Sequence, residues 1–210
     1  MESGMIYIYA TRIQNGDQHG TAELLLNRSL EQCTDVQTPV RYHRNEHGKP
    51  YLTDKPEIYV NWSHSGDYVI CAVADREVGI DLQKMDREPK ENLIRKVLTK
   101  EEQEFYGSVS ESERKRLFYQ YWSVKESFLK AIGTGFYTSL KTFQVDMEEG
   151  QPRISHYINR KNYSCRLLTF REPDYVAAVC EENATLEEED SKITYFNQEG
   201  RKRCQNSWRL

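Results

Sequence analysis

Trp122-Ser123-Val124-Lys125-Glu126-Ser127-Phe128-Leu129-Lys130 is the stretch from which the fold is read most directly. At about 100° per residue, Leu117, Tyr121, Val124, Phe128 and Ile132 fall on one apolar stripe of a helix expected over 113–132. Ser110 and Glu113 have capping-box spacing at its start, and Gly133 and Gly135 end it. Gly133-Thr134-Gly135 is not followed by the Lys-Ser/Thr of a phosphate loop, so it reads as a helix stop. Lys125 lands inside the apolar stripe, where an ammonium without a partner is expensive. Glu126 and Lys130 form an i, i+4 pair at the stripe's edge. On spacing alone that is a surface ion pair worth about 0.2–0.5 kcal/mol.

Strand signals lie on both sides of this helix. Upstream, Met5–Ala10, Ile58–Trp62, Tyr68–Ala74 and Val78–Leu82 are β-branched or aromatic runs, and Thr21–Leu30 is helical with Leu24, Leu25 and Leu30 inward. The segment 41–56 holds Gly48, Pro50 and Pro56 and reads as loop with a short extended piece. The turns Ser65-Gly66-Asp67 and Asp75-Arg76-Glu77 suggest that the three runs from Ile58 form an antiparallel meander. A helix begins after Pro89, and Thr99 with Glu102 is a capping box that restarts another. Downstream, Phe143–Met147, Arg153–Ile158, Ser164–Phe170 and Tyr175–Cys180 return to strand. Glu187–Asp190 is an acidic linker, and the polar tail after Gly200 is expected to lack order. The pattern is α+β in two halves, 1–97 and 98–185, followed by a polar, partly disordered extension 186–210.

Composition narrows the function. The chain has 210 residues and a net charge of −4, so nucleic-acid binding over its whole surface is not expected. No apolar run approaches the roughly 20 residues that span a bilayer, and the N-terminus has no secretory-signal pattern. The five cysteines, Cys33, Cys71, Cys165, Cys180 and Cys204, are odd in number and lack a C-x-x-C pair, so they read as reduced thiols of a cytoplasmic protein. Two further features carry chemistry. Asp81, in Gly79-Ile80-Asp81-Leu82-Gln83, ends an apolar strand as a turn cap or a cation ligand. Asn61-Trp62-Ser63-His64-Ser65 ends another with hydroxyls and an imidazole that suit a phosphate, or with a packed histidine.

Gly79-Ile80-Asp81 and the Trp122–Lys130 stretch, some forty residues apart, resemble the paired signature of 4′-phosphopantetheinyl transferases. Asn61-Trp62-Ser63-His64-Ser65 and Gly48-Lys49-Pro50 match the same family in order and spacing, and the likeness is to its long, surfactin-synthetase-activating class. The resemblance implies two pseudo-twofold-related α+β halves with the active site in the cleft between them, Asp81 coming from the first and Glu126 from the second. It implies a Mg²⁺-dependent transfer of the 4′-phosphopantetheine arm of coenzyme A to a serine of an apo acyl or peptidyl carrier protein, with release of adenosine 3′,5′-bisphosphate. A monomeric cytoplasmic enzyme without nucleic-acid or membrane partners is expected, because the shorter class of the family builds its site between subunits. The alternative is a catalytically weak coenzyme A and carrier-protein binding module of the same fold.

Site roles follow from the same resemblance. Asp81 and Glu126 are metal ligands, with Gln83 touching the metal directly or through water. Lys130 contacts the pyrophosphate and stabilises the departing charge, and Lys125 shapes the same site. His64, supported by Ser63, and Lys49 bind coenzyme A. Glu102 is either the acid that helps deprotonate the incoming serine or the capping-box residue alone. This sequence departs from the family at Gln83, where a second acid is usual, and at Gly20, where an arginine is common. Arg12, Arg28 and Arg41 are the candidates for meeting the 3′-phosphate instead, and Arg114, Lys115 and Arg116 form a candidate carrier-docking patch.

Overall fold

A computed structural model describes residues 4–147, 151–182 and 192–196. The first unit opens with β1 (Ile6–Arg12) and α1 (Gln18–Cys33), the helix capped by the Asp17 carboxylate accepting from the Gly20 N–H. A small hairpin, β2 (Tyr42–Arg44) and β3 (Pro50–Leu52), leads to β4 (Tyr59–Ser65) and β5 (Tyr68–Ala74). Then come β6 (Val78–Lys84), α2 (Glu91–Val97), α3 (Lys100–Ser108) and the long α4 (Glu111–Ile132). A second hairpin, β7 (Gln144–Asp146) and β8 (Arg153–Ser155), precedes β9 (Tyr163–Leu168), β10 (Tyr175–Glu182) and β11 (Ile193–Tyr195).

One plan is used twice. Strand, helix, hairpin and an antiparallel strand pair occur as β1-α1-β2-β3-β4-β5 and again as β6-α4-β7-β8-β9-β10, with α2 and α3 added. The sheet orders match, β1-β5-β4 in one and β6-β10-β9 in the other, with β11 added parallel to β1. The α+β class is therefore as expected. The meander holds only for β4 and β5. β6 pairs residue for residue with β10, Asp81 opposite Ala178, so it opens the second sheet. Asp81 thus shares a sheet with the strands that follow α4. Turn signals fix where a strand starts but not which sheet accepts it.

Glycine decides how closely helix and sheet approach. A Cβ on Gly79 would lie 2.1 Å from the Ser127 carbonyl oxygen and 2.3 Å from the Ala131 nitrogen. Only a residue without a side chain lets α4 lie directly on β6. Leu117, Tyr121, Val124 and Phe128 are buried as the periodicity requires, and Ile132 is half-buried. Gly133 ends the helix with φ +74°, the left-handed conformation expected of a glycine stop.

One expectation is corrected. Cys165 and Cys180 face each other across the β9–β10 ladder and are joined in a disulfide, so they are not reduced thiols. Their pairing comes from strand register, which their separation of 15 residues hides. Cys33 and Cys71 are buried thiols. Within the 186–210 extension, residues 193–195 form β11 and the Phe196 ring stacks on Tyr9 at 5.3 Å. The acidic run 187–190, the tail after Gly200 and Cys204 lie outside the described residues. Among the described residues no helix is long and apolar enough to cross a membrane.

Candidate active site

The close approach at Gly79 sets two turns of α4 over the end of β6. Lys130 Nζ donates to Asp81 Oδ1 at 2.7 Å and to the Ile80 carbonyl at 3.1 Å. Asp81 is buried and also accepts from Ser63 Oγ at 2.9 Å, Gln83 Nε2 at 2.9 Å and Ser123 Oγ at 3.2 Å. Glu126 is buried beside it, and its Oε1 has no hydrogen-bond partner among the described residues. Burial first, and the neighbouring Asp81 charge second, push the Glu126 carboxyl up to about 7, against the pull of Lys130. Two carboxylates and one ammonium leave a negative charge uncompensated, and a bare buried oxygen is costly. That oxygen-only donor set fits a hard divalent cation held by two carboxylates plus ligand oxygens. Among the described residues no group of three or more His, Cys, Asp or Glu is placed to hold a metal by itself.

β4 divides its work by alternation. Asn61, Ser63 and Ser65 point to β6: Asn61 Oδ1 accepts from the Ile80 N–H at 3.0 Å, Ser63 bonds Asp81, and Ser65 Oγ accepts from the Lys84 N–H at 2.9 Å. β4 is the edge of its sheet, so these side chains bridge the two sheets where no ladder runs. Trp62 and the exposed His64 take the opposite face. Ser63 therefore serves Asp81, and the imidazole does not.

A cleft of about 270 Å³ opens beside this group, lined by the β2–β3 hairpin, Trp62, Glu126, Lys130 and the residues after α4. The hairpin is tied to the end of α4. Lys49 Nζ donates to the Ala131 carbonyl at 2.6 Å and pairs with Glu77, and Asn45 Nδ2 donates to the Gly133 carbonyl at 3.2 Å. Burial lowers the Lys49 pKa despite that pairing. Lys49 is among the cleft's lining, and its ammonium caps a helix end.

Glu102 and Lys125 form a second, separate centre. Lys125 Nζ meets Glu102 Oε2 at 2.8 Å with both side chains fully buried, and donates to the Leu140 carbonyl at 2.7 Å. Glu102 also accepts from the Thr99 and Val145 N–H groups, each at 2.8 Å, and completes the capping box. It lines a different cavity, of about 610 Å³, between α3 and the β7–β8 hairpin. The structure does not bring Glu102 or Lys125 to Asp81. The buried cation in the apolar stripe is explained by Glu102, from which 23 residues of sequence separate it.

Comparison with known proteins decides which family uses this arrangement. A model of the 4′-phosphopantetheinyl transferase superfamily matches residues 77–180, from the residue before β6 into β10. The 4′-phosphopantetheinyl transferase Sfp of Bacillus subtilis (strain 168) is 32% identical over 158 residues, 74% of this chain and 69% of that one. The chain belongs to the 4′-phosphopantetheinyl transferase superfamily. The 4′-phosphopantetheinyl transferase gsp of Aneurinibacillus migulanus is 27% identical over 154 residues, 73% of this chain and 64% of its own. A holo-(acyl-carrier-protein) synthase of Bacillus anthracis str. Ames, solved in complex with CoA (3′,5′-ADP), is similar to 52% of this chain and 96% of its own, at 18% identity and a TM-score of 0.46.

Within this phosphopantetheinyl transferase several of the candidate cations have partners of their own. Arg12 donates to Tyr68 Oη at 2.9 Å and pairs with Glu172, and none of Arg12, Arg28 and Arg41 is among the cleft's lining. Arg114 and Arg116 donate to the backbone carbonyls of Gly107, Val109 and Pro173, and Lys115 pairs with Glu88. Arg44 was missed. It lines the cleft with its guanidinium 5.4 Å from the Trp62 ring centroid, on the face of β4 that carries His64. Its signal was the short extended piece before Gly48, whose alternation places Tyr42 and Arg44 on one side.

Proposed function

We propose that the protein transfers the 4′-phosphopantetheine arm of coenzyme A to a serine of an apo acyl or peptidyl carrier protein, depends on a divalent cation, and works as a cytoplasmic monomer. The observation that carries the reading is the convergence of Asp81, Glu126 and Lys130, with one Glu126 oxygen buried and unbonded, beside a nucleotide-sized cleft in a chain of this superfamily. Asp81 and Glu126 are the ligands in this proposal, Mg²⁺ fits them, and when bound it neutralises charge on the pyrophosphate. Gln83 turns its amide nitrogen toward Asp81, which supports a role in orienting that carboxylate or a water.

The chain's own side chains do the rest. Lys130 stands at the carboxylates with its ammonium able to follow the charge that develops on the leaving bisphosphate. The serine oxygen forms a bond to the β-phosphorus as the bond from that phosphorus to the bridging oxygen breaks, and the serine proton passes to a base. The contacts of Glu102 with Thr99, Val145 and Lys125 would have to open for Glu102 to be that base, so Glu102 is assigned as a positioning residue that fixes α3 against α4. His64 and Arg44 face the nucleotide phosphates, and Ser63 holds Asp81. The repeat supports a division of the chain before β6 rather than at 97.

Incubation of the pure protein with coenzyme A, Mg²⁺ and a panel of apo carrier proteins tests this by intact mass. Gain of one phosphopantetheine arm on a carrier is expected. Unmodified carriers throughout point to the binding module, and coenzyme A cleavage without a carrier points to a hydrolase.

A further inference from the structure

Away from the Asp81 centre, β9 and β10 carry a disulfide beside a third cavity. Cys165 and Cys180 are paired directly across the ladder and bridged. Cys180 has no exposed surface, whereas Cys165 retains 7% and lines an open cavity of about 380 Å³. Arg153 and Arg166 line the same cavity, together with Tyr163 and Ser164. A bridged sulfur that keeps surface on one side only is an attack point for a small thiol, whose thiolate can reach Cys165 but not Cys180. On its other side β10 pairs with β6, and Cys180 lies opposite Gly79, where α4 rests on the sheet. The state of this bond therefore bears on the strand that presents Asp81.

We propose that Cys165–Cys180 is a thiol-exchange site, opened from the Cys165 side by a small-molecule thiol such as glutathione, and that opening it loosens β10 beneath β6. The thiolate attacks Sγ of Cys165, a mixed disulfide forms there, and the Cys180 sulfur leaves as thiolate and takes a proton. A second thiol attacks the mixed disulfide, freeing Cys165 as a thiol and carrying off the oxidised dimer. Two thiols are oxidised and one protein disulfide is reduced.

The test uses folded protein and reduced glutathione, followed by alkylation and peptide mass mapping of residues 165 and 180. Glutathione is expected to make both positions alkylatable without denaturant and to lower the thermal midpoint by several degrees. In Cys180→Ser, oxidised glutathione is expected to add one glutathione at Cys165. The double variant C165S/C180S should unfold at the midpoint of the reduced protein and ignore glutathione. Closed cysteines after glutathione treatment, a Cys165 that oxidised glutathione leaves unmodified in Cys180→Ser, or an unchanged midpoint on reduction would overturn the proposal. None of these readouts depends on carrier transfer.

Discussion

Asp81 and Gln83 carry different weights although they share a strand end. Asp81 collects four side-chain donors and one of the site's two carboxylate charges, whereas Gln83 supplies one neutral amide bond. Asp81→Ala removes a charged ligand and is expected to nearly abolish turnover, while Gln83→Ala costs far less at saturating Mg²⁺. Turnover against Mg²⁺ concentration decides, and an equally dead Gln83→Ala would make the amide an essential ligand. Lys125 and Glu102 need the opposite experiment. Removing one partner of a buried pair leaves an uncompensated charge, so Glu102→Ala should cost about 3–5 kcal/mol in urea unfolding. Replacing both with apolar residues, E102L/K125M, should recover most of that loss. A double variant as unstable as Glu102→Ala would mean that the pair is not what holds α3 to α4. From sequence Lys125 was visible as an anomaly, because apolar periodicity exposes a misplaced cation. Its partner was not visible, because Glu102 also satisfies a capping box and local spacing cannot show a second bond made across two helices.

The β6–α4 contact is the element on which the site depends. Gly79→Ala drives a methyl group into helix backbone, at Ser127 and Ala131, where no side chain can move aside. Glu126 and Lys130 must then lift away from Asp81. Loss of soluble protein, or a lowered midpoint with transfer reduced at least as far as stability, is expected; a Gly79→Ala protein with wild-type midpoint and turnover would show that the close approach is dispensable. α4 itself was legible down to its glycine stop because 22 residues of 3.6-residue periodicity outweigh local noise. β11 was not, because three residues paired to a strand some 185 positions away leave no local pattern. The sheet switch at β6 was hidden for the same reason, since a turn that suits a meander also suits a departure from it.

At the scale of the whole molecule, one plan repeated within a single chain supplies both sides of the cleft. Sedimentation equilibrium should give the mass of one chain, and an obligate oligomer would contradict the assignment of both halves to one subunit. The four short motifs were legible because each lies within a few residues, and they named the family before any fold was known. What they could not show was the division of labour along β4, where Asn61, Ser63 and Ser65 bridge the sheets and Trp62 and His64 take the opposite face. The most direct measurement of the central claim is the intact mass of an apo carrier protein after reaction with coenzyme A and Mg²⁺, run with wild type, Asp81→Ala and Glu126→Ala in parallel. Expected is full conversion to the phosphopantetheinylated carrier by wild type and almost none by either variant while both remain folded. Conversion by a folded carboxylate variant at the wild-type rate would contradict the placement of the catalytic centre at Asp81 and Glu126.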